Sequence, residues 1–296
     1  MRPQLGFALP QFGESARDGL VRFASTAEQL GAASLWVGDR LLAPVHPTVG
    51  YAGTDAIPAE MRTVFDPFTA LAAAAAVTGT VRLGSSVLVA PWYPPVQLGR
   101  QLTSIDVLSG GRLTVGLGVG WSPEEYRAAG APFAGRGEQF DELLDVLDIL
   151  WTSNPVEHHG ARWSVPQSWV DLKPVQQPRP PIYLGPTTAH GLSRVGRRAD
   201  GWLPAVMLPD RVDPGTLRWG REIIDGAAID AGRDPASIGT IVRINPAAES
   251  RVTEIADTVK LLADNGYHHA FVDLNFLVTN TAARLEWVQR LLAASS

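Results

Sequence analysis

The amino-acid sequence predicts one α/β domain, a (β/α)8 TIM barrel that covers residues 1–296. Eight short apolar runs are each followed by a helical segment, and this alternation is typical of a parallel sheet covered on both faces. Eight such units close into a barrel, whereas a doubly wound sheet, the alternative, does not usually need eight. A length of 296 residues is also normal for a one-domain barrel.

Four strand–helix units occupy the first half of the chain. Gly31 ends the first helix, and Asp66 caps the second, which has Pro67 at its first position. Apolar runs predict strands at 5–9, 34–37, 83–89 and 113–118. Apolar residues at helical spacing predict helices at 20–30, 67–76, 94–108 and 138–151.

The regular order breaks after the fourth unit and then resumes. A hairpin is predicted at 156–165, and the proline-rich connector KPVQQPRPP follows at 173–181. Further strands are predicted at 182–184, 201–203, 238–244 and 270–274. Helices follow them at 189–198, 216–231, 251–265 and 282–292. The fold prediction is therefore a barrel with an insertion after the fourth unit.

Composition excludes several classes of function. The net charge of -5 gives no basic surface for nucleic acid, and the absence of cysteine excludes disulfides and thiolate chemistry. The N-terminus lacks the apolar core of a signal peptide, and no apolar run is long enough to span a membrane. We therefore expect a cytoplasmic protein whose partner is a small molecule rather than nucleic acid or a membrane.

Candidate site residues follow from the barrel, because barrel enzymes place their chemistry at the carboxyl ends of the strands. The second strand ends in the charged pair Asp39 and Arg40. The six histidines show no metal-ligand spacing, and no serine lies in a G-x-S-x-G turn. We therefore expect no protein metal site and no acyl-transfer triad, and infer that a cofactor supplies the chemistry.

Two glycine motifs have alternative interpretations. GLGVGW at 116–121 resembles a dinucleotide fingerprint, but its glycines lie within and just beyond a strand, so close packing, against a ring system for example, is favoured. Gly185 to Thr188 join a strand to a helix N-terminus, which can hold a phosphate. A simple helix cap by Thr187 or Thr188 explains the same residues at least as well.

Several stretches together resemble the bacterial luciferase-like monooxygenase family, in particular its branch that depends on the deazaflavin coenzyme F420. They run in order from the second to the sixth strand: WVGDR (36–40), FDPFTALAAAAAVTGTVRLGSSVLVAP (65–91), QLTSIDVLSGGRLTVGLGVGWSPEEYRAAG (101–130), KPVQQPRPPIYLG (173–185) and GRRADGWLP (196–204). The resemblance implies the same (β/α)8 fold and an oxidoreductase activity.

The resemblance also assigns roles to individual residues. It implies a cis peptide bond between Ser86 and Val87, under the central ring of the cofactor. The turn at Gly185, Pro186, Thr187 and Thr188 would hold the cofactor phosphate, although Pro186 replaces a glycine and lacks one N–H donor. The remaining implied contacts to the cofactor are Asp39, Gly118, Val119 and Gly120.

Two departures from the family pattern bear on function. Luciferases that use FMN carry an arginine for its phosphate where this chain has Val119, which favours F420 over FMN. Related deazaflavin dehydrogenases have histidine where this chain has Arg40, and arginine is a poor proton donor. Asp39 and Arg40 are therefore the expected catalytic pair, with Asp39 fixing the ring or substrate and Arg40 stabilising negative charge or holding a substrate carboxylate.

Aromatic residues would line the substrate pocket. The expected lining is Phe12, Trp92 and Trp121, with Tyr51, Trp163 and Trp169 in the two variable segments, although core packing is the alternative for any single tryptophan. The leading function is F420-dependent hydride transfer to or from a small organic substrate. The alternatives are an FMN-dependent monooxygenase and a binding barrel without turnover. A homodimer is also expected from the resemblance.

Overall fold

The computed structural model describes residues 3–17, 19–209 and 212–295. Within these ranges, eight strands surround a central axis. They are Gln4–Ala8, Ser34–Val37, Arg82–Ser85 with its extension Leu88–Val89, Leu113–Gly118, Ile182–Leu184, Gly201–Trp202 with Ala205–Met207, Gly239–Thr240 with Val242–Asn245, and His269–Val272.

Strand pairing closes this sheet into a barrel. The first strand lies parallel to the second and also to the eighth, where Leu5 is opposite Ala270. The sixth and seventh strands pair along both of their segments, with Gly201 opposite Gly239 and Ala205 opposite Arg243. Every described strand of the barrel therefore has two parallel neighbours, and the predicted (β/α)8 fold is confirmed.

Helices cover the outside of the barrel. They are α1 (Leu20–Leu30), α2 (Pro67–Val77), α3 (Pro95–Leu108), α4 (Pro123–Ala128), α5 (Arg136–Thr152), α6 (Ala189–Arg198), α7 (Pro214–Asp230), α8 (Val252–Asp264) and α9 (Thr281–Ala294). Short 3-10 turns lie at Glu14–Arg17, Tyr51–Gly53, Ala59–Arg62, Ala90–Trp92, Pro235–Ser237 and Leu274–Phe276. None of the described helices is long and apolar enough to cross a membrane.

Most element bounds agree with the sequence prediction to within two residues. The strands Val156–His159 and Ser164–Ser168 form the expected antiparallel hairpin between α5 and the fifth strand. The apolar spacing predicts no helix between 118 and 138, and this is wrong, since α4 begins at Pro123, just after GLGVGW. The signal was present in the sequence: Ser122 caps α4 by accepting from the Glu125 N–H at 3.4 Å, and Pro123 occupies the first helical position.

Packed side chains fill the interior of the barrel. The rings of Trp36 and Phe271 stack there with their centroids 4.7 Å apart, beside Leu203, Ile241 and the partly buried Val87 and Tyr183. Gly84 is required at its position, because a Cβ there would lie 2.4 Å from the Trp36 ring. We name Trp36, Leu203, Ile241 and Phe271 the interior floor. The strand ends above this floor are the place where barrel enzymes bind their ligands.

Candidate functional site

The carboxyl of Asp39 is held at the end of the second strand by two neutral donors. The backbone N–H of Val89 donates to Oδ2 at 2.9 Å, and the Tyr93 hydroxyl donates to both carboxylate oxygens, at 2.9 and 3.1 Å. Burial raises the pKa of Asp39 to about 7, against the opposing effect of these two hydrogen bonds. Asp39 can therefore gain or lose a proton near neutral pH.

Arg40 forms a buried ion pair in the wall of the barrel. Its guanidinium lies 3.0 Å from Oε2 of Glu125 on α4, and the two side chains are only 4% and 3% exposed. The guanidinium also donates to the Leu42 carbonyl and lies 4.9 Å from the ring centroid of Trp121. The charge of Arg40 is thus balanced by Glu125, and its expected contact with cofactor or substrate stays a prediction.

Three of the predicted cofactor contacts, Ser86, Gly118 and Gly185, lie next to a fourth, Val87. The peptide bond between Ser86 and Val87 is cis, as predicted. A Cβ on Gly118 would lie 2.6 Å from a Val87 methyl group, and a Cβ on Gly185 would lie 3.0 Å from the other. Close packing therefore explains Gly118, and the group packed against it is the side chain of Val87, which lies between the two segments of the neighbouring third strand.

The other predicted contacts of the fourth strand lie next to α4. The Tyr126 hydroxyl donates to the Val119 carbonyl at 2.5 Å, and Gly120 has a positive φ of 62°. Trp92 packs edge-on against Tyr126, with their centroids 6.1 Å apart, in a separate buried cluster that also contains Val89. The structure thus places Trp92 in core packing, and its role in a substrate pocket stays a prediction.

The turn before α6 combines a helix cap with an exposed N-terminus. The Thr188 hydroxyl accepts a hydrogen bond from the Gly191 N–H at 3.2 Å, so the capping interpretation holds for Thr188. Thr187 is exposed, and the Pro186 carbonyl accepts from the Trp202 indole N–H at 3.4 Å. Phosphate binding at this turn stays a prediction.

Four aromatic rings form an arch over the strand ends. The Tyr51 centroid lies 6.2 Å from that of Trp121 and 5.8 Å from that of Phe276, and Phe276 stacks on Phe12 at 6.1 Å. Trp121 follows the fourth strand and Phe276 the eighth, which are opposite one another in the barrel. We name Phe12, Tyr51, Trp121 and Phe276 the aromatic arch, and it spans the mouth. Trp163 packs against the core, and Trp169 is exposed.

The loop that carries Tyr51 is fastened to α4. Both the backbone N–H and the hydroxyl of Thr48 donate to Glu124, at 3.1 and 2.6 Å. The N–H groups of Leu41 and Leu42 donate to Glu125, at 2.8 and 3.4 Å. Two consecutive glutamates on α4 therefore hold the loop that closes over the mouth.

Sequence reasoning missed a second ion pair, which lies above the interior floor. Arg243 of the seventh strand donates to Asp273, just after the eighth strand, at 2.5 Å and to the Ser86 carbonyl at 3.0 Å. The available signal was a charge within the otherwise apolar strand IVRI, since a strand buried on both faces has no solvent for it. Tyr93 and Glu125 were missed because they lie in or beside helices.

The polar groups of the described ranges do not form a metal centre. They contain no group of three or more histidine, cysteine, aspartate or glutamate side chains that could hold a metal ion. The chemistry available at the mouth is therefore a titratable carboxyl, two arginine–carboxylate pairs and an aromatic cover.

The chain is similar in sequence to a known protein family and to individual proteins. The family described as luciferase-like monooxygenase matches residues 6–294. An uncharacterised protein of Mycobacterium tuberculosis (strain H37Rv) is 34% identical over 188 residues, which are 61% of this chain and 65% of that protein. The match thus spans less than two thirds of that relative.

Two solved structures share the fold at low sequence identity. One is an F420-dependent secondary alcohol dehydrogenase in complex with an F420-acetone adduct, with a TM-score of 0.78, 16% identity and full coverage of both chains. The other is the oxygenating constituent of 3,6-diketocamphane monooxygenase from Pseudomonas putida in complex with FMN. Its TM-score is 0.67 at 17% identity, covering 88% of this chain and 72% of that one. With the family match over nearly the whole barrel, this chain belongs to the luciferase-like monooxygenase family of oxidoreductases.

Proposed function

We propose that the chain is an oxidoreductase that uses coenzyme F420 to transfer a hydride to or from a small organic substrate. The observation that carries this proposal is the Asp39 carboxyl, which is partly buried at the mouth and bound by neutral donors. When bound, the deazaflavin supplies or accepts the hydride. Reduction of a carbonyl, or its reverse, also needs a proton, and a group with a pKa near 7 is suited to exchange it.

The group that exchanges the proton is the Asp39 carboxyl, which Tyr93 holds in place. Arg40 cannot fill this role, because arginine stays protonated. In its protonated form Asp39 can donate to a substrate oxygen, and in its ionised form it can take the proton back. The Tyr93 hydroxyl and the Val89 N–H hold the carboxyl in one orientation through both states. Arg40 would act at a distance, because its ion pair with Glu125 fixes the end of the strand that carries Asp39.

The strand ends offer surfaces that fit a flat ring with a phosphate-bearing tail. Val87, Gly118 and Gly185 present backbone and one small side chain at the mouth. The exposed N-terminus of α6, with Thr187 beside it, fits a phosphate, because the first N–H groups of a helix lack partners within the helix. Val119 stands where FMN-using relatives carry arginine, and this supports F420 over FMN.

Titration of the purified protein with F420 and with FMN, followed by ring fluorescence, tests the cofactor assignment. We expect F420 to bind more tightly than FMN, and we expect Val119→Arg to raise FMN affinity by adding a charged donor for its phosphate. Val21→Arg, on α1 where Val21 is 50% exposed, is the matched control and should change neither affinity. Tight FMN binding without F420 binding would exclude the proposal.

The same preparation separates the alternative functions. Oxygen consumption with reduced FMN would identify a flavin monooxygenase instead of a hydride-transfer enzyme. Cofactor binding with no turnover across a panel of alcohols and ketones would favour a binding barrel. Turnover with F420 that requires Asp39, and is lost in Asp39→Asn, would support the proposed roles.

A further inference from the structure

We propose that the mouth binds a flat aromatic substrate through its ring and through one carbonyl or carboxylate oxygen, with Arg243 as the residue that recognises this oxygen. The inference names the substrate class of the proposed enzyme and therefore rests on the proposed function. It depends on three features of the mouth: an incompletely bonded arginine, a buried amide beside it, and the aromatic arch above both.

Arg243 retains a free donor although it is paired. Its two terminal nitrogens donate to Asp273 and to the Ser86 carbonyl, at 2.5 and 3.0 Å. Its Nε is buried and finds no hydrogen-bond acceptor among the described residues. A buried donor without a partner costs free energy, so an arriving acceptor oxygen gains more here than at a satisfied site.

Asn245 is a second incompletely bonded group on the same strand. It lies two residues after Arg243, and residues i and i+2 of a strand face the same side, here the interior of the barrel. The residue is only 5% exposed, and its Oδ1 also finds no partner within the described ranges. Since the amide can present either its oxygen or its nitrogen, Asn245 can complete the contact to a carbonyl or a carboxylate.

The aromatic arch covers this polar point. Its neighbouring centroids are 5.8–6.2 Å apart, which is within the range of favourable contacts between aromatic rings. Tyr51 lies close enough for its phenol to act electrostatically on both Arg243 and Arg40. A flat ring whose oxygen binds at Arg243 would therefore lie within reach of the Tyr51 ring and could stack on it.

Arg243 is better suited than Arg40 to hold the substrate oxygen. Arg40 is 4% exposed, its charge is paired with Glu125, and its guanidinium already lies against the Trp121 ring. Arg243 lies above the interior floor and reaches the Ser86 carbonyl, at the predicted position of the cofactor ring. An oxygen bound at Arg243 would thus place the rest of the substrate beside that ring.

Four small probes test the inference: benzoate, acetophenone, toluene and acetate. Their binding is measured by calorimetry to the protein without cofactor and to the protein saturated with F420 or FMN. We expect benzoate or acetophenone to bind at least about tenfold more tightly than toluene, which lacks the oxygen, and than acetate, which lacks the ring.

Two variants locate the bound probe. Arg243→Lys keeps a cation for Asp273 but removes the Nε donor, and we expect it to weaken binding of the preferred probe about tenfold. Tyr51→Ala removes the central ring of the arch from a surface loop and should weaken the same probe with little change in Tm. Arg221→Lys is the matched control, since Arg221 also pairs with an aspartate and donates to backbone carbonyls, but on the outer helix α7.

The outcomes separate this inference from the proposed function. Equal affinity of wild type and Arg243→Lys, equal affinity for acetate and benzoate, or no binding of any probe in any form would overturn the inference. Probe binding that depends on Arg243, in a protein that binds neither F420 nor FMN, would support the recognition site while excluding the proposed function.

Discussion

Asp39 is the titratable carboxyl of the mouth, and its side chain is only partly exposed to solvent. Asp39 accepts hydrogen bonds from the Val89 N–H and the Tyr93 hydroxyl, which are both neutral. Burial is the main reason that its pKa rises to about 7, and the carboxylates of Glu125 and Asp66 add to the effect. The proton on Asp39 is therefore available in the range where most enzymes work.

The raised pKa predicts a pH-dependent cost to stability. Between about pH 4 and 7 the folded protein keeps a proton on Asp39 that the unfolded chain has lost, so the free energy of unfolding falls as pH rises through this window. Asp39→Asn keeps a hydrogen-bond acceptor and removes the titration. We expect its Tm to rise relative to wild type between pH 4 and 8, by the equivalent of about 1.4 kcal/mol per unit of raised pKa.

Thermal unfolding at several pH values measures this effect. Asp234→Asn is the matched control. Asp234 is exposed, and it caps the 3-10 turn Pro235–Ser237 by accepting from the Ala236 N–H rather than taking part in the mouth. A constant difference in Tm between Asp39→Asn and wild type across the range would show that Asp39 titrates normally in the folded protein.

Arg40 is predicted to act mainly through its ion pair. Arg40→Ala leaves the Glu125 carboxylate buried without its cation, which we expect to cost about 3–5 kcal/mol of stability. The double variant Arg40→Met with Glu125→Gln should recover much of this loss, because no unpaired charge remains. Chemical denaturation of both variants provides the measurement.

An exposed ion pair provides the comparison. Arg251 and Glu254 are 76% and 40% exposed at their side chains, and Arg251→Ala should change stability by less than about 1 kcal/mol. If Arg40→Ala lowered stability by as little as Arg251→Ala, the guanidinium of Arg40 would be solvated and free to contact a ligand.

The loop between the second strand and α2 is the element that covers the site. It carries Tyr51 into the aromatic arch, and α4 holds it through Glu124 and Glu125. The hydrogen bond from the Thr48 hydroxyl lowers the pKa of Glu124 to about 2, so this contact persists through the physiological range. The loop and the short helix therefore act together as the cover of the barrel mouth.

Loss of the outer contact should loosen the loop without unfolding the barrel. In Glu124→Ala we expect several-fold faster amide hydrogen exchange around Thr48, with a change in global stability of about 1 kcal/mol or less, because the contact is at the surface. Exchange measured by mass spectrometry tests this. Glu138→Ala, an exposed glutamate in the first turn of α5, should leave the loop unchanged. Unaltered exchange at Thr48 would show that Glu125 and Tyr51 alone hold the cover.

At the scale of the whole molecule, closure of the barrel joins the two ends of the chain. The first strand pairs with the eighth, and the Gln11 N–H donates to the Asn275 side chain at 3.3 Å. The mouth is consequently assembled from strands two, three, four, seven and eight together. A substitution of Arg243, in the C-terminal quarter of the chain, is therefore expected to affect ligand binding at the same mouth to which Asp39, near the N-terminus, contributes its carboxyl.

The homodimer expected from the family resemblance is a prediction at this scale. The last turn of α3 exposes Val107 and Leu108, and Leu108 is 59% exposed. Buried apolar area stabilises association, so Leu108→Glu should shift a dimer toward monomer. Sedimentation velocity at several concentrations measures the masses. A wild-type protein that stays monomeric at high concentration would exclude the dimer.

Local patterns in the sequence were sufficient for the order and bounds of most elements. Apolar spacing, caps such as Asp66 and breakers such as Gly31 act over a few residues, and they predicted the first two helices and the second strand correctly. The eightfold alternation then allowed only a few architectures. It placed Asp39 and Arg40 at the end of the barrel where the strands terminate, since parallel strands in a barrel all point the same way.

The partners of these residues depend on contacts between distant parts of the chain. Arg243 meets the Ser86 carbonyl across 157 positions, and Arg40 meets Glu125 only because α4 folds over the second strand. No local spacing encodes such pairs, because the register of strand pairing and the path of the Tyr51 loop bring them together. The candidate residues could thus be read from the chain, whereas their charge state, burial and free donors follow from closure of the barrel.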